Sequence, residues 1–135
     1  EYQAYAETFK LKMSLIQLCS PAIISTYGND QYDELKNTIQ QKLELAKKYE
    51  ELANPGYGNK YSQLRLALYS ALFSFFIKKI SIKKFEREIQ CIKKVALDEN
   101  YNRELKIIKY IEKYNYQLSP ESIRIIFSFY PIVPQ

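Results

Sequence analysis

Hydrophobic positions recur along this chain at helical spacing, with almost no break from one amphipathic stretch to the next. From about residue 4 to residue 19, Phe9, Met13 and Ile16 fall about one turn apart, with Leu11, Leu15 and Leu18 beside them. Ser20-Pro21 ends or restarts that helix, because proline disfavours the α region for the residue before it. A short apolar segment over 21–29 finishes in a Gly28-Asn29 turn. Asp30 is a good N-cap for a second helix, with Asp33 and Glu34 in its first turn, near the positive end of the dipole. The apolar stripe of that helix reads Leu35, Ile39, Leu43, Ala46 and Tyr49, while Lys42, Lys47 and Glu50 face elsewhere.

Residues 54–59, Asn-Pro-Gly-Tyr-Gly-Asn, form the one strong loop signal and let the second and third helices turn back on each other. The third helix, about 60–79, is apolar nearly all round through Leu64, Leu68, Leu72, Phe75 and Phe76, and is expected at the centre of a bundle. Ser81 caps a fourth helix with Ile82, Phe85, Ile89 and Ile92 on one face, interrupted at Asp98-Glu99-Asn100. A fifth runs to about Tyr114 with Leu105, Ile108 and Ile111 inward. Ser119-Pro120-Glu121 starts a last helix that ends near Tyr130, ahead of Pro131 and Pro134. No stretch alternates with period two for long enough to argue for a sheet. The pattern predicts an all-α fold: a bundle of five to six helices joined by short loops, with antiparallel helix hairpins, in a single domain over 1–135.

Composition narrows the chemistry. A chain of 135 residues that is 47% apolar and 26% charged can bury a real core. It has no His, no Trp and three Gly, so a poised imidazole base, a His-based metal site and a glycine-rich phosphate loop are not spelled out. Gly56-Tyr57-Gly58 follows a helix and is not a dinucleotide fingerprint. Of the paired carboxylates, Asp30 with Asp33 serves the helix start, and Glu86 and Glu88 diverge on a helix beside lysines; Asp98 with Glu99 is the remaining pair. No catalytic residue, metal ligand or cofactor is assigned. Cys19 and Cys91 fall at apolar helix positions and read as buried free thiols of a reducing compartment. The longest apolar run, 66–77, is broken by Ser70 and Ser74, whereas a spanning helix needs roughly 20 apolar residues. The chain opens Glu1-Tyr2-Gln3 without an initiator Met, and so reads as a piece of a longer polypeptide.

The net charge of +5 is unevenly placed. Residues 1–60 hold seven Lys/Arg against eight Asp/Glu; residues 61–135 hold thirteen against seven. Within that half, Lys78, Lys79, Lys83, Lys84, Arg87, Lys93 and Lys94 face only Glu86 and Glu88 over 78–94. One reading is a solvated face that keeps the chain soluble. The other is attraction to anionic lipid headgroups, the usual role of a basic amphipathic helix. Nucleic acid fits less well, because arginine is sparse and the nearby aromatics follow the core pattern. Thirteen tyrosines offer a separate candidate surface, a protein interface through Tyr57, Tyr61, Tyr101, Tyr110 and Tyr114, with Tyr116 beside them. The competing reading lays each ring over the core edge with its hydroxyl in water.

Three segments bear a likeness to a known family: Gln63-Leu64-Arg65-Leu66-Ala67-Leu68-Tyr69-Ser70-Ala71-Leu72, then Ile80-Ser81-Ile82-Lys83-Lys84-Phe85, then Leu118-Ser119-Pro120-Glu121-Ser122-Ile123-Arg124-Ile125-Ile126 with a closing Tyr130-Pro131. In texture this resembles the helical C-terminal region that follows the GT-A catalytic domain of bacterial family 2 polysaccharide glycosyltransferases, over residues 60–135. The resemblance implies that sugar-nucleotide chemistry lies upstream. The metal-binding Asp-x-Asp and the acidic base of that family have no counterpart here, so no catalytic residue carries over, and the segment 21–29 has none in the family. The implied role is to buttress the catalytic domain beside a lipid-linked acceptor.

Together these observations predict a non-catalytic helical accessory domain of a larger bacterial enzyme, cytoplasmic and peripheral to the inner membrane. Its partners are the rest of its own chain and an anionic membrane surface. The alternative is a helical adaptor module that binds a protein through its tyrosines.

Overall fold

The computed structural model describes residues 12–17, 30–53 and 60–129, together with Lys10. Five helices follow one another: α1 (Asp30–Ala53), α2 (Lys60–Phe76), α3 (Ile82–Glu99), α4 (Asn102–Lys113) and α5 (Pro120–Phe127). A further helical segment covers 12–17, and no strand occurs among the described residues. The fold is all-α. Phe9, Leu11, Leu18, Cys19, the segment 21–29, the loop 54–59 with Tyr57, and residues 130–135 lie outside the described residues.

Helix α2 is buried on nearly every side. Leu64, Leu66, Leu68, Tyr69, Ala71, Leu72 and Phe73 are all buried, and together they cover all of the helix but the sector of Gln63, Ala67, Ser70 and Ser74. Neighbours must therefore cover it from several directions. Helix α1 does so with Ile39 and Leu43, and also with Tyr32, which is 1% exposed and precedes the expected stripe. Helix α5 sets Phe127 edge-on to Tyr69, ring centroids 5.3 Å apart. Helix α3 runs antiparallel to α2: Phe75 near the end of α2 stacks on Phe85 near the start of α3 at 4.4 Å and 6°. Phe85 then meets Tyr116, just past α4, edge-on at 6.4 Å, which makes α4 antiparallel to α3. Such ring pairs contribute roughly 0.5–1.5 kcal/mol each beyond their buried area.

The helix starts agree with their sequence signals. Ser81 Oγ accepts from the Lys84 N–H at 3.2 Å, and Ser119 Oγ accepts from the Ser122 N–H at 3.2 Å, with Pro120 in the first turn. Helix α1 already includes Asp30, so it begins at that residue rather than after it. Helix α2 stops at Phe76 instead of reaching Lys79. The Lys78 N–H bonds to the Phe75 carbonyl at 3.0 Å and the Lys79 N–H to the Ser74 carbonyl at 2.8 Å, the two reverse bonds of a Schellman ending. Lys78 occupies its left-handed position at φ 61°. Asn100 (φ 60°) after α3 and Asn115 (φ 53°) after α4 hold similar places. Any Cβ crowds the backbone there; asparagine compensates with a short polar side chain that can hydrogen-bond locally, and lysine does not.

Some inward assignments change. Met13 is 39% exposed and Ile82 38% exposed, so neither belongs to the core. In 12–17 the buried face runs instead through Lys12, Ser14 and Leu15. In α4, Ile107 is buried with Ile108 and Ile111, while Leu105 is only half-buried. Cys91 is exposed, which corrects its reading as an interior thiol: it lies off the stripe formed by Phe85, Ile89, Ile92 and Ala96.

The left-handed lysine predicts a stabilising substitution. Lys78→Gly removes the Cβ conflict and should raise stability by about 1 kcal/mol. In a thermal melt that corresponds to an increase of roughly 3–5 °C.

Candidate functional site

The buried charges of the bundle gather at one end. At the start of α2, Tyr61 Oη donates to Glu104 Oε2 of α4 at 2.8 Å, and the Glu104 side chain belongs to a residue that is 0% exposed. The Tyr61 ring meets Tyr101 edge-on at 5.1 Å. The Arg65 guanidinium lies 5.7 Å from the Tyr61 ring centroid and 5.8 Å from that of Tyr69, and its Nη2 donates to Tyr69 Oη at 3.1 Å. Lys12, 1% exposed, joins this group from the amino-terminal helical segment. Burial, followed by the Arg65 and Arg103 charges, pushes the Lys12 ammonium below its ordinary pKa. Burial and then the hydrogen bond to Glu104 push the Tyr61 phenol up to about 12.

This interior cluster is a poor place for acid–base catalysis. A phenol with a pKa of about 12 holds its proton at neutral pH, and its carboxylate partner is sealed from solvent. Among the described residues, no group of three His, Cys, Asp or Glu side chains could hold a metal ion. The cluster ties the starts of α2 and α4 together, with Lys12 buried near Arg65 and Arg103.

The outside is cationic from the far end of α2 along α3. Lys78 and Lys79 sit in the α2–α3 turn, and Lys83, Lys84, Arg87 and Lys94 project from α3; all six are exposed. Among the described residues none of them is in an ion pair. Lys83, Arg87 and Lys94 line the side of α3 opposite its buried stripe, and Lys84 stands to one flank. Lys93 is placed differently. Its Nζ lies 2.8 Å from Glu112 Oε2 of α4, and that hydrogen bond raises the lysine pKa and lowers that of the glutamate. Gln90 donates to the same carboxylate at 3.0 Å and to Tyr116 Oη at 2.6 Å.

A second cationic row escaped the sequence reading. Lys106, Lys109 and Lys113 are exposed along α4, opposite Glu104, Ile107, Ile108 and Ile111. Their spacing of three and four residues was the available signal, weaker than that of the denser run at 78–94. The tyrosines divide as well. Tyr61 and Tyr101 are half-buried against each other, while Tyr114 is 45% exposed, with its ring 5.0 Å from that of Tyr110. A shallow, mostly apolar groove of about 500 Å³ lies between α2 and α3, lined by Leu64, Ala67, Ile92 and Val95, with Cys91 and Asp98 at its edge.

No family model, no curated protein and no solved structure matches the chain. Its function is therefore argued from the chemistry of its own residues. Among the described residues, no helix is long and apolar enough to cross a membrane.

Tyr61→Phe tests the interior tie. Removing a hydrogen bond to a carboxylate should cost about 1.5–3 kcal/mol in a denaturant titration. The phenol pKa is raised on folding, so its stabilising contribution is complete below pH 10 and is lost as pH rises through about 12. Tyrosinate absorbance should show one fewer late-titrating phenol in the variant than in the parent chain. The parent should also lose stability between pH 10 and 12 more steeply than Tyr61→Phe.

Proposed function

We propose that this helical domain is a non-catalytic accessory of a larger bacterial enzyme, and that it holds the enzyme against the anionic cytoplasmic face of the inner membrane. The observation that carries the reading is the set of six exposed cations, Lys78, Lys79, Lys83, Lys84, Arg87 and Lys94, gathered at one corner and along one helix side. Each lysine near a negatively charged bilayer strengthens attachment about fivefold, so a cluster of this size gives useful but reversible binding. Glu112 is engaged by Lys93, so its carboxylate does not oppose that surface as a free anion. The proposal extends to a parent of the family 2 polysaccharide glycosyltransferase kind, on the strength of the resemblance of residues 60–135. A domain of this type would keep the catalytic part beside a lipid-linked acceptor.

The adaptor reading draws its support from the Tyr110–Tyr114 pair, in which an exposed aromatic ring stands beside Lys113, 5.7 Å from the Tyr114 centroid. Tyr61 serves it less well, since its hydroxyl is given to Glu104.

Charge reversal at Lys83, Lys84 and Arg87 distinguishes the two. Co-sedimentation with phosphatidylserine or cardiolipin vesicles at low salt should fall about 100-fold or more in the triple variant. Binding by the parent chain should fade as salt rises. Vesicle binding that survives the triple reversal, or a parent chain that never binds, removes the membrane reading. Under the adaptor reading, capture of a protein partner is unchanged by the same substitutions.

A further inference from the structure

We infer that the domain meets the anionic bilayer side-on, through the outer face of the α3–α4 hairpin, with Leu97 as its apolar contact. This builds on the membrane reading above and names the face that touches. Lys83, Arg87 and Lys94 run along α3 opposite Phe85, Ile89, Ile92 and Ala96; Lys106, Lys109 and Lys113 run along α4 opposite Glu104, Ile107, Ile108 and Ile111. All six cations are exposed.

The seam between the helices shows that the two rows share one face. Lys93 and Gln90 of α3 both bond to Glu112 of α4, and Gln90 also reaches Tyr116. Gln90 is exposed, so this seam opens to solvent. At 3.6 residues per turn, each cation row lies about a quarter-turn beyond the seam on its own helix. Because the helices are antiparallel, those quarter-turns point to the same side of the hairpin. The rows are about 16 Å and 10 Å long, and packed helices stand roughly 8–10 Å apart. The result is a broad plate rather than a groove or a ridge, on which six cations outnumber the exposed carboxylates Glu86 and Asp98, and its shape matches a plane of headgroup phosphates.

Leu97 gives the plate an apolar element. At 55% exposure it is the most exposed large apolar side chain among the described residues. It follows Lys93 by four positions and Lys94 by three, which brings it to the same side of α3. An exposed leucine amid cations suits the boundary between headgroups and acyl chains. It has no comparable place on a nucleic-acid backbone. The turn lysines Lys78 and Lys79 then lie at one end of the plate.

The chain contains no tryptophan, so Leu97→Trp supplies a single emission reporter. On phosphatidylserine vesicles its emission should shift to the blue and be quenched by spin-labelled acyl chains. Reversal of Lys106, Lys109 and Lys113 to Glu should weaken vesicle binding about 100-fold or more, with the helical circular dichroism unchanged. Parent-like binding by that triple variant overturns the inference while leaving the attachment through Lys83, Lys84 and Arg87 standing. So does an unshifted Leu97→Trp on a chain that still co-sediments, or a blue shift found instead in Ile82→Trp, which marks an end-on corner contact. A parent chain that ignores vesicles but binds duplex DNA overturns both readings at once.

Discussion

A helix that buries side chains on well over half of its circumference dictates its surroundings, and α2 is such a helix. From Leu64 to Phe73 only Ala67 is exposed, and Arg65 and Ser70 are half-buried, so polar chemistry is confined to its two ends and to what other helices bring. At the first end Tyr61 and Arg65 are drawn inward and bonded to Glu104 and Tyr69. At the second the chain leaves through Lys78 and Lys79 into solvent. Those ends are about 20 Å apart along the axis. The molecule's division into an interior polar knot and an exterior cationic side follows from this one element. So does the order of the neighbours, because α1, α3 and α5 must each supply apolar cover to a different sector of the same rod.

Much of the architecture was legible because the code for it is local. Ser81 and Ser119 announce helix starts through hydroxyls that satisfy a first-turn N–H, and both do so. The stripe Phe85, Ile89, Ile92 marks the inward face of α3 by spacing alone. Burial of charge was not legible, for a physical reason. A helical wheel assigns Lys12 and Glu104 to solvent, since the penalty for burying an ion is judged without its partners. The partner of Glu104 is Tyr61 of α2, far away in sequence. Cys91 was misassigned in the opposite direction: an apolar residue type one position from Ile92 still points away from the core. The lysines of α4 were visible as residues but not as a surface, because what aligns them with α3 is the Gln90–Glu112–Lys93 seam.

That seam also sorts the lysines into kinds. Lys93 lies between two helices with its charge matched, whereas its sequence neighbour Lys94 is exposed and meets no described carboxylate. A half-exposed pair of this kind contributes little to stability by itself. Its larger effect is orientation, because Gln90 and Lys93 converge on one carboxylate and so limit how α3 and α4 can rotate about their axes. With rotation limited, the outward rows of the two helices keep a constant relation. A run of basic residues on one isolated helix would have no such constraint.

The helix endings show where local stability and surface charge pull in different directions. Glycine is the ordinary residue for a left-handed helix ending, yet the chain's three glycines, Gly28, Gly56 and Gly58, all lie elsewhere. After α3 and α4 the position is filled by Asn100 and Asn115, whose short polar side chains tolerate it. After α2 it is filled by Lys78, which does not, and the resulting backbone strain falls at the cationic corner rather than in the core. Lys78 is exposed, so the strain sits at a solvent-facing turn. What lysine adds there is charge. It stands next to Lys79 and a few positions before Lys83 and Lys84, so this left-handed backbone position, which Tyr116 matches at φ 63°, falls within the basic run of the chain.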